Sequence, residues 1–249
     1  MRHLPPFLAI AIAVTAWHLA VAASPGTLVP GPVQALAGIG ELAEKGLLVR
    51  YVVASLFRVT WGYLAALVVA VPAGVLLGLW RRGEVALNPI LQILRPISPL
   101  AWIPIAILWF GVGDLAAVFL IFLASALPLT LTTIHAVHNI EGVHLAAGRN
   151  FGLDGTRLVR SVIVPAILPQ LLTGMRITLG IAWLVVVAAE MIAVSSGLGF
   201  LIVDARNAGN RYDLVVAGMI LIGLIGVALD ALMRRLERLP SLRWGYAAE

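Results

Sequence analysis

Apolar runs long enough to cross a bilayer recur along this chain, and they constrain its fold more than any other feature. They cover residues 4–23, 59–80, 115–133, 171–194 and 214–233, with a shorter run at 100–112. A hydrocarbon core of about 30 Å calls for about 20 apolar residues in a helix. In lipid each backbone N–H and C=O must be satisfied within the chain, so such runs form helices. Charged residues make up 12% of the sequence, against about 25% in soluble domains. The mean hydropathy is +1.02. The expected fold class is an all-α polytopic membrane protein with six transmembrane helices.

The formal net charge of +5 reflects topology rather than nucleic-acid binding. The bases cluster in short segments beside the apolar runs: Arg2; Arg81 and Arg82; Arg149, Arg157 and Arg160; Arg234, Arg235, Arg238 and Arg243. The positive-inside rule puts these segments, and both termini, in the cytoplasm. No interleaving of bases and aromatics on a soluble surface points to RNA or DNA. With no cysteine, disulfides, thiolate metal sites and cysteine nucleophiles are excluded. The first run is longer than the core of a signal peptide and is read as a retained span; cleavage after Ala20-Val21-Ala22 is the alternative.

Residues 24–51 are read as a turn followed by an amphipathic helix on the outer interface, with Leu36, Ile39, Leu42 and Ala43 at helical spacing. In the second span Gly62, Ala66, Ala70, Gly74 and Gly78 recur every fourth residue. Such a stripe lets helix backbones approach closely, and packing within the subunit is its expected use. Pro72 is expected to kink this span. Pro89, Pro96, Pro99 and Pro104 interrupt the next segment, which predicts a cytoplasmic helix, a break at Arg95-Pro96 and a third span leaving near Gly113-Asp114. Residues 198–203 are apolar but too short to cross, which suggests a re-entrant or interface-dipping segment.

Residues 141–169 form the longest break between spans in the second half of the chain. Gly152 is placed to end one short helix, because glycine enters the left-handed region without a Cβ clash. Asp154 is placed to cap a second, and Pro165 and Pro169 to stop and redirect the chain. The stretch Ala146-Ala147-Gly148, three residues, Gly152, nine residues, Val162-Ile163-Val164-Pro165 resembles the cytoplasmic Glu-Ala-Ala loop of ABC-importer permeases. Ala146 stands where that pattern has Glu and Gly148 where it has the second Ala. Further blocks, RPISPLAWIPIAILWFGVGD, LTGMRITLGIAWLVVVAAEM, SSGLGFLIVDARNAGN and IGLIGVALDALMRRLER, are similar in order to the permeases of nitrate, sulfonate, taurine and bicarbonate importers.

That resemblance implies a type I ABC-importer permease fold, with residues 51–238 as the transmembrane core, 1–50 as a first span plus outer segment, and 239–249 as a cytoplasmic tail. It implies a subunit of the bacterial inner membrane that is not itself an enzyme. Its partners would be cytoplasmic ATPase subunits, a second permease copy, an external solute-binding protein and the lipid bilayer. ATP and Mg would be used by the ATPase, and no cofactor would be bound by this chain. Consistently, no Gly-x-x-x-x-Gly-Lys-Ser/Thr phosphate loop occurs. Glu141, Leu145, Ala146, Ala147, Gly148, Arg149 and Gly152 would form the coupling element against the ATPase.

Charged groups within spans are costly and often functional. Glu190 is read either as lining a pathway or gate, or as anchoring the Ser195-Ser196-Gly197 turn by accepting backbone hydrogen bonds. Arg176 either attracts an anion or snorkels to the headgroups. Asp230 and Arg234 are spaced to pair. Asp204, Arg206 and Arg211 lie on the outer segment, as rim charges or as contacts for a binding protein. His135, His138 and His144 lack the carboxylate or thiolate spacing of a metal site, so no metal is expected. An ATP-independent transporter or channel is the alternative function, but the halves show no convincing repeat.

Overall fold

A computed structural model of the chain describes residues 4–24, 28–207 and 209–238. The helices are α1 (Leu4–Ala22), α2 (Pro32–Glu44), α3 (Leu47–Leu79), α4 (Arg81–Leu94), α5 (Ile103–Phe110), α6 (Asp114–His138), α7 (Gly142–Asn150), α8 (Gly155–Leu158), α9 (Val164–Ala193), α10 (Leu198–Asn207) and α11 (Tyr212–Glu237). A 3₁₀ turn at Pro99–Trp102 leads into α5, and a π turn at Val159–Ile163 joins α8 to α9. No strand occurs among the described residues. The tail 239–249, with Arg243, and residues 25–27 of the expected turn lie outside them.

Four helical stretches are long and apolar enough to cross a membrane: Leu47–Leu79, Asp114–His138, Gly155–Ala193 and Tyr212–Glu237. Arg81–Leu94 and Pro99–Phe110 form a pair bent by 84°, which makes a fifth crossing if taken as one broken span. The bend falls where Arg95-Pro96 was expected to break the chain. The six-span reading additionally counts α1, which is apolar on all sides and packs only lightly, against α2.

The core is α3 packed along α6, with α9 across both. The small-residue stripe of α3 is the reason for this close approach. A Cβ on Gly62 would lie 2.7 Å from Ile121 Cβ, one on Gly74 2.8 Å from Thr130 O, and one on Gly78 2.8 Å from Val137 Cβ. Ala66 and Ala70 are buried between them. The stripe therefore serves packing inside the subunit, where lipid removes the usual hydrophobic drive for helices to associate. The helix continues through Pro72. Tyr63 then ties α3 to α9 by donating to Met175 O at 2.6 Å. Trp183 Nε1 ties α9 to α11 by donating to Ile222 O at 3.0 Å.

One expectation is corrected here. Pro165 and Pro169 do not stop the chain: both sit in the opening turns of α9, and helix runs unbroken from Gly155 to Ala193. The π turn just before Pro165 rearranges the hydrogen-bond ladder that its ring would otherwise disrupt. In α2 the buried residues are Ala35, Gly38 and Leu42, whereas Leu36 is exposed. The helix turns small residues toward a neighbour. A Cβ on Gly38 would lie 3.1 Å from Asp213 O and 3.4 Å from Ala217 Cβ, so α2 packs on the first turns of α11. Arg211 clamps this contact, reaching Glu41 Oε2 at 2.5 Å and Asp213 Oδ2 at 2.8 Å.

Candidate functional site

The chain brings its charged and polar groups together at the two ends of the bundle. At one end lies α7. Its C-terminus is closed by a pair of hydrogen bonds: Gly152 N–H donates to Arg149 O at 2.9 Å and Leu153 N–H to Gly148 O at 3.0 Å. This is the Schellman arrangement, and Gly152 holds the φ of +75° that it requires. Asp154 follows in extended conformation. Its side chain makes no cap; its carbonyl accepts from Arg157 and Leu158 N–H instead.

The predicted coupling residues divide between two faces. Leu145 packs against the cluster of Val137, Leu158, Ile163 and Ile167. Gly148 is buried, and a Cβ there would lie 2.8 Å from Leu158 Cδ1 and 3.0 Å from Val162 Cγ2. These two seat the helix. Glu141, Ala146, Ala147, Arg149 and Gly152 are exposed. Val143 and Phe151 join them, the latter 87% exposed. A cavity of about 630 Å³ opens beside this face, bounded by His144, Ala147, Phe151, Pro165 and Gln170.

At the opposite end Glu190 is fully buried, and donors surround its carboxylate. Oε1 accepts from Arg58 Nη1 at 2.7 Å. Oε2 accepts from Ser55 Oγ at 2.8 Å and from Gly199 N–H at 3.0 Å. Arg58 extends the network, donating to Ser196 O and Oγ and, through Nε, to Asp114 Oδ1 at 2.8 Å. Gly197, at φ +109°, lets the turn lie over the carboxylate, which a Cβ would strike. Through Arg58 these contacts tie α3, α9, α10 and the start of α6 together. Burial of a charge in a span is tolerable only when it is paired and hydrogen-bonded in this way.

Arg176 Nη1 donates to Glu237 Oε2 at 3.1 Å, and its Nε lies 3.9 Å from Asp230 Oδ1, so it links α9 to the end of α11. Asp230 also pairs with Arg234, as their spacing suggested.

Residues 70–241 match the family profile described as binding-protein-dependent transport system inner membrane component. The chain belongs to that family. This permease is 35% identical to the taurine transport system permease protein TauC of Escherichia coli, over 76% of its own length and 68% of that protein's. It is 34% identical to the nitrate import permease protein NrtB of Synechocystis, over 94% and 88% of the two chains. Its fold matches a chain of the MetNI methionine ABC transporter in an inward-facing conformation, with a TM-score of 0.69, at 22% identity and covering 77% of this chain and 95% of that one. The permease thus has the type I ABC-importer fold and is the non-catalytic, multi-pass membrane component of a transporter.

Sequence reasoning passed over Arg58, Ser55 and Asp114 in this permease. Arg58 stands one residue before the second predicted span, where a base reads as an interfacial anchor. Its acceptors lie 56 to 138 residues away in sequence. Phe151 was passed over as well; its signal was a large apolar residue directly before the helix-ending glycine.

Proposed function

We propose that this permease forms the path by which a small oxyanion, of the nitrate or sulfonate class, enters a bacterial cell across the cytoplasmic membrane. An external binding protein delivers the solute at the end that carries Glu190. ATP hydrolysis, with Mg, in separate ATPase subunits docked on α7 drives alternating access. A second copy of the chain completes the path. Six spans, counting α1 and the bent pair, then leave both termini on the cytoplasmic side.

The observation that carries this reading is the construction of α7. The helix is sealed at its C-terminus and held from beneath by Leu145 and Gly148, yet it presents Ala146, Ala147 and Phe151 outward. A short, rigid, small-residue helix flanked by an exposed aromatic suits insertion into a partner's cleft. The similarity to taurine and nitrate permeases supports the solute class.

The test is affinity purification from native membranes in mild detergent, with mass spectrometry of the co-purifying chains. A stoichiometric ATPase with a phosphate-binding loop, lost in Ala147→Glu, is expected. Because Ala147 is exposed, that variant leaves the fold intact. Retention of the ATPase and of normal uptake by Ala147→Glu would overturn the placement of the coupling surface.

A further inference from the structure

The core leaves one helix, α4, almost uncovered. Of its 14 residues only Gly83 is buried, and a Cβ there would strike the ring of Trp80. The helix is nonetheless divided by face. At about 100° per residue, Arg81, Glu84, Asn88, Gln92 and Arg95 fall within one arc of about 80°. Ala86, Leu87, Ile90, Ile93 and Leu94 fill the opposite side. Ile90 and Ile93 are 53% and 67% exposed. An amphipathic helix usually turns its apolar stripe to the core, and here the core does not cover it.

The geometry lays α4 along the cytoplasmic face. It is bent by 84° from the Pro99–Phe110 segment, which packs on α6. With that segment crossing the bilayer beside α6, α4 lies near the membrane plane. Both ends of α4 also reach the last turns of α6. Glu84 lies 3.3 Å from His138 at one end, and Leu94 and Arg95 share a cavity with Leu131 and His135 at the other. Residues 131–138 rise about 10 Å along α6, whereas α4 is about 21 Å long, so α4 runs at a shallow slope. Trp80, at its junction with α3, is half-exposed, as befits an indole at headgroup level.

Charge selects what covers this helix. Among the described residues, no carboxylate lies within ion-pair distance of Arg81, Arg82 or Arg95, while Glu84 faces His138. Three unanswered guanidiniums and an uncovered apolar stripe match the two parts of an acidic phospholipid. Phosphate oxygens take the parallel N–H donors, and acyl chains take the isoleucines. We propose that α4 is an interfacial helix of the inner leaflet that collects acidic phospholipid, with Ile90 and Ile93 at the acyl boundary and Arg81, Arg82 and Arg95 on headgroup phosphates. The bent pair still crosses, because residues 95–98 and 111–113 extend its Pro99–Phe110 half at either end. Lipid held on α4 fixes the start of this broken span relative to α6. It does so independently of the solute and of the ATPase.

The chain has no cysteine, so single labels can be placed at will. The permease, purified with its co-purifying subunits, is reconstituted in nanodiscs of phosphatidylglycerol and phosphatidylcholine. A fluorophore is carried at Ile90→Cys or, on the opposite face, at Gln92→Cys. Nitroxide high on a lipid acyl chain should quench the Ile90 label and spare the Gln92 label, and iodide in the water should do the reverse. Nitroxide on phosphatidylglycerol should quench the Ile90 label as though that lipid were enriched about fivefold or more, the effect of one guanidinium at an acidic surface. The enrichment should fall at high salt and in the combined Arg81→Gln, Arg82→Gln and Arg95→Gln variant. The salt arm needs no change of charge, so it decides even if that variant fails to insert. Equal quenching by the two lipids would overturn the selection of acidic lipid. Equal iodide quenching at both positions would make α4 a free cytoplasmic helix and overturn the interfacial placement. An Ile90 label shielded from lipid and iodide alike, with spin labels on two copies in dipolar range, would give this face to a second copy and overturn the lipid assignment.

Discussion

Arg58 Nη1 donates to Glu190 Oε1 across 2.7 Å, with the two side chains 3% and 0% exposed. The pair joins residues 132 positions apart and fixes the end of the bundle opposite α7. Removing one partner strands the other charge, at a cost of about 3–5 kcal/mol. Arg58→Met should therefore lower the thermal unfolding midpoint in detergent sharply. Arg58→Met combined with Glu190→Gln should recover part of that loss, because no buried charge is left unanswered. Equal destabilisation by the single and the double variant would show that the pairing contributes little.

The contact of α3 with α6 makes a second prediction. Gly62→Leu must displace Ile121 and the Val118 carbonyl, which a Cβ alone would approach to 2.7 and 2.8 Å. Overpacking of this kind costs about 1–3 kcal/mol. Gly40→Leu, where no atom lies within 4 Å, should leave folded yield nearly unchanged. Fluorescence-detected size-exclusion profiles of the two variants compare them directly.

The α2 clamp should respond to acid. Hydrogen bonds from Arg211, and then from Lys45, hold the Glu41 carboxyl down at about 2. A depressed folded pKa means that the contribution is complete above the unfolded value of 4.5 and is lost as pH falls toward 2. Hydrogen exchange in α2 should accelerate as pH falls through that window, once corrected for intrinsic exchange. Glu41→Gln should exchange faster at neutral pH and lose the acid response. High salt should weaken the clamp in the wild type, since the groups are near the surface.

Phe151 separates docking from folding. It is 87% exposed, so Phe151→Ser should change stability by no more than about 0.5 kcal/mol. The same variant should recover less ATPase in the affinity purification. Full recovery would remove Phe151 from the coupling surface.

Much of this architecture was legible in the sequence, for reasons that can be named. The every-fourth-residue run from Gly62 to Gly78 announced a close helix contact, because only small residues permit one. Gly152 announced a helix end, because only glycine takes that φ cheaply. The break at Arg95-Pro96 followed from proline spacing. What failed was whatever depended on a partner distant in sequence. The buried face of α2 is set by the close approach of α11, so that Ala35 and Gly38 are buried while Leu36 is exposed. Pro165 and Pro169 were read as stops because their position relative to a helix start was unknown. Arg58 drew no notice in the sequence because its acceptors Glu190, Ser196 and Asp114 reach it only in the fold. In α7 the motif located the helix, but the inward turn of Leu145 and Gly148 depends on α8 and the π turn.

The unbroken stretch from Gly155 to Ala193 has 39 residues. At 1.5 Å per residue its length is about 58 Å, nearly twice the hydrocarbon thickness. Its first turns are bolted to α7 through Gly148, and its last carries Glu190. It is thus a single stiff lever running from one face of the membrane to the other, with α3 and α6 as its fulcrum. A tilt of about 10° displaces its two ends relative to one another by about 10 Å, by the geometry of a rod of that length. Over such an arm, a modest displacement at α7 can be felt at the Arg58–Glu190 clasp without any side chain relaying it.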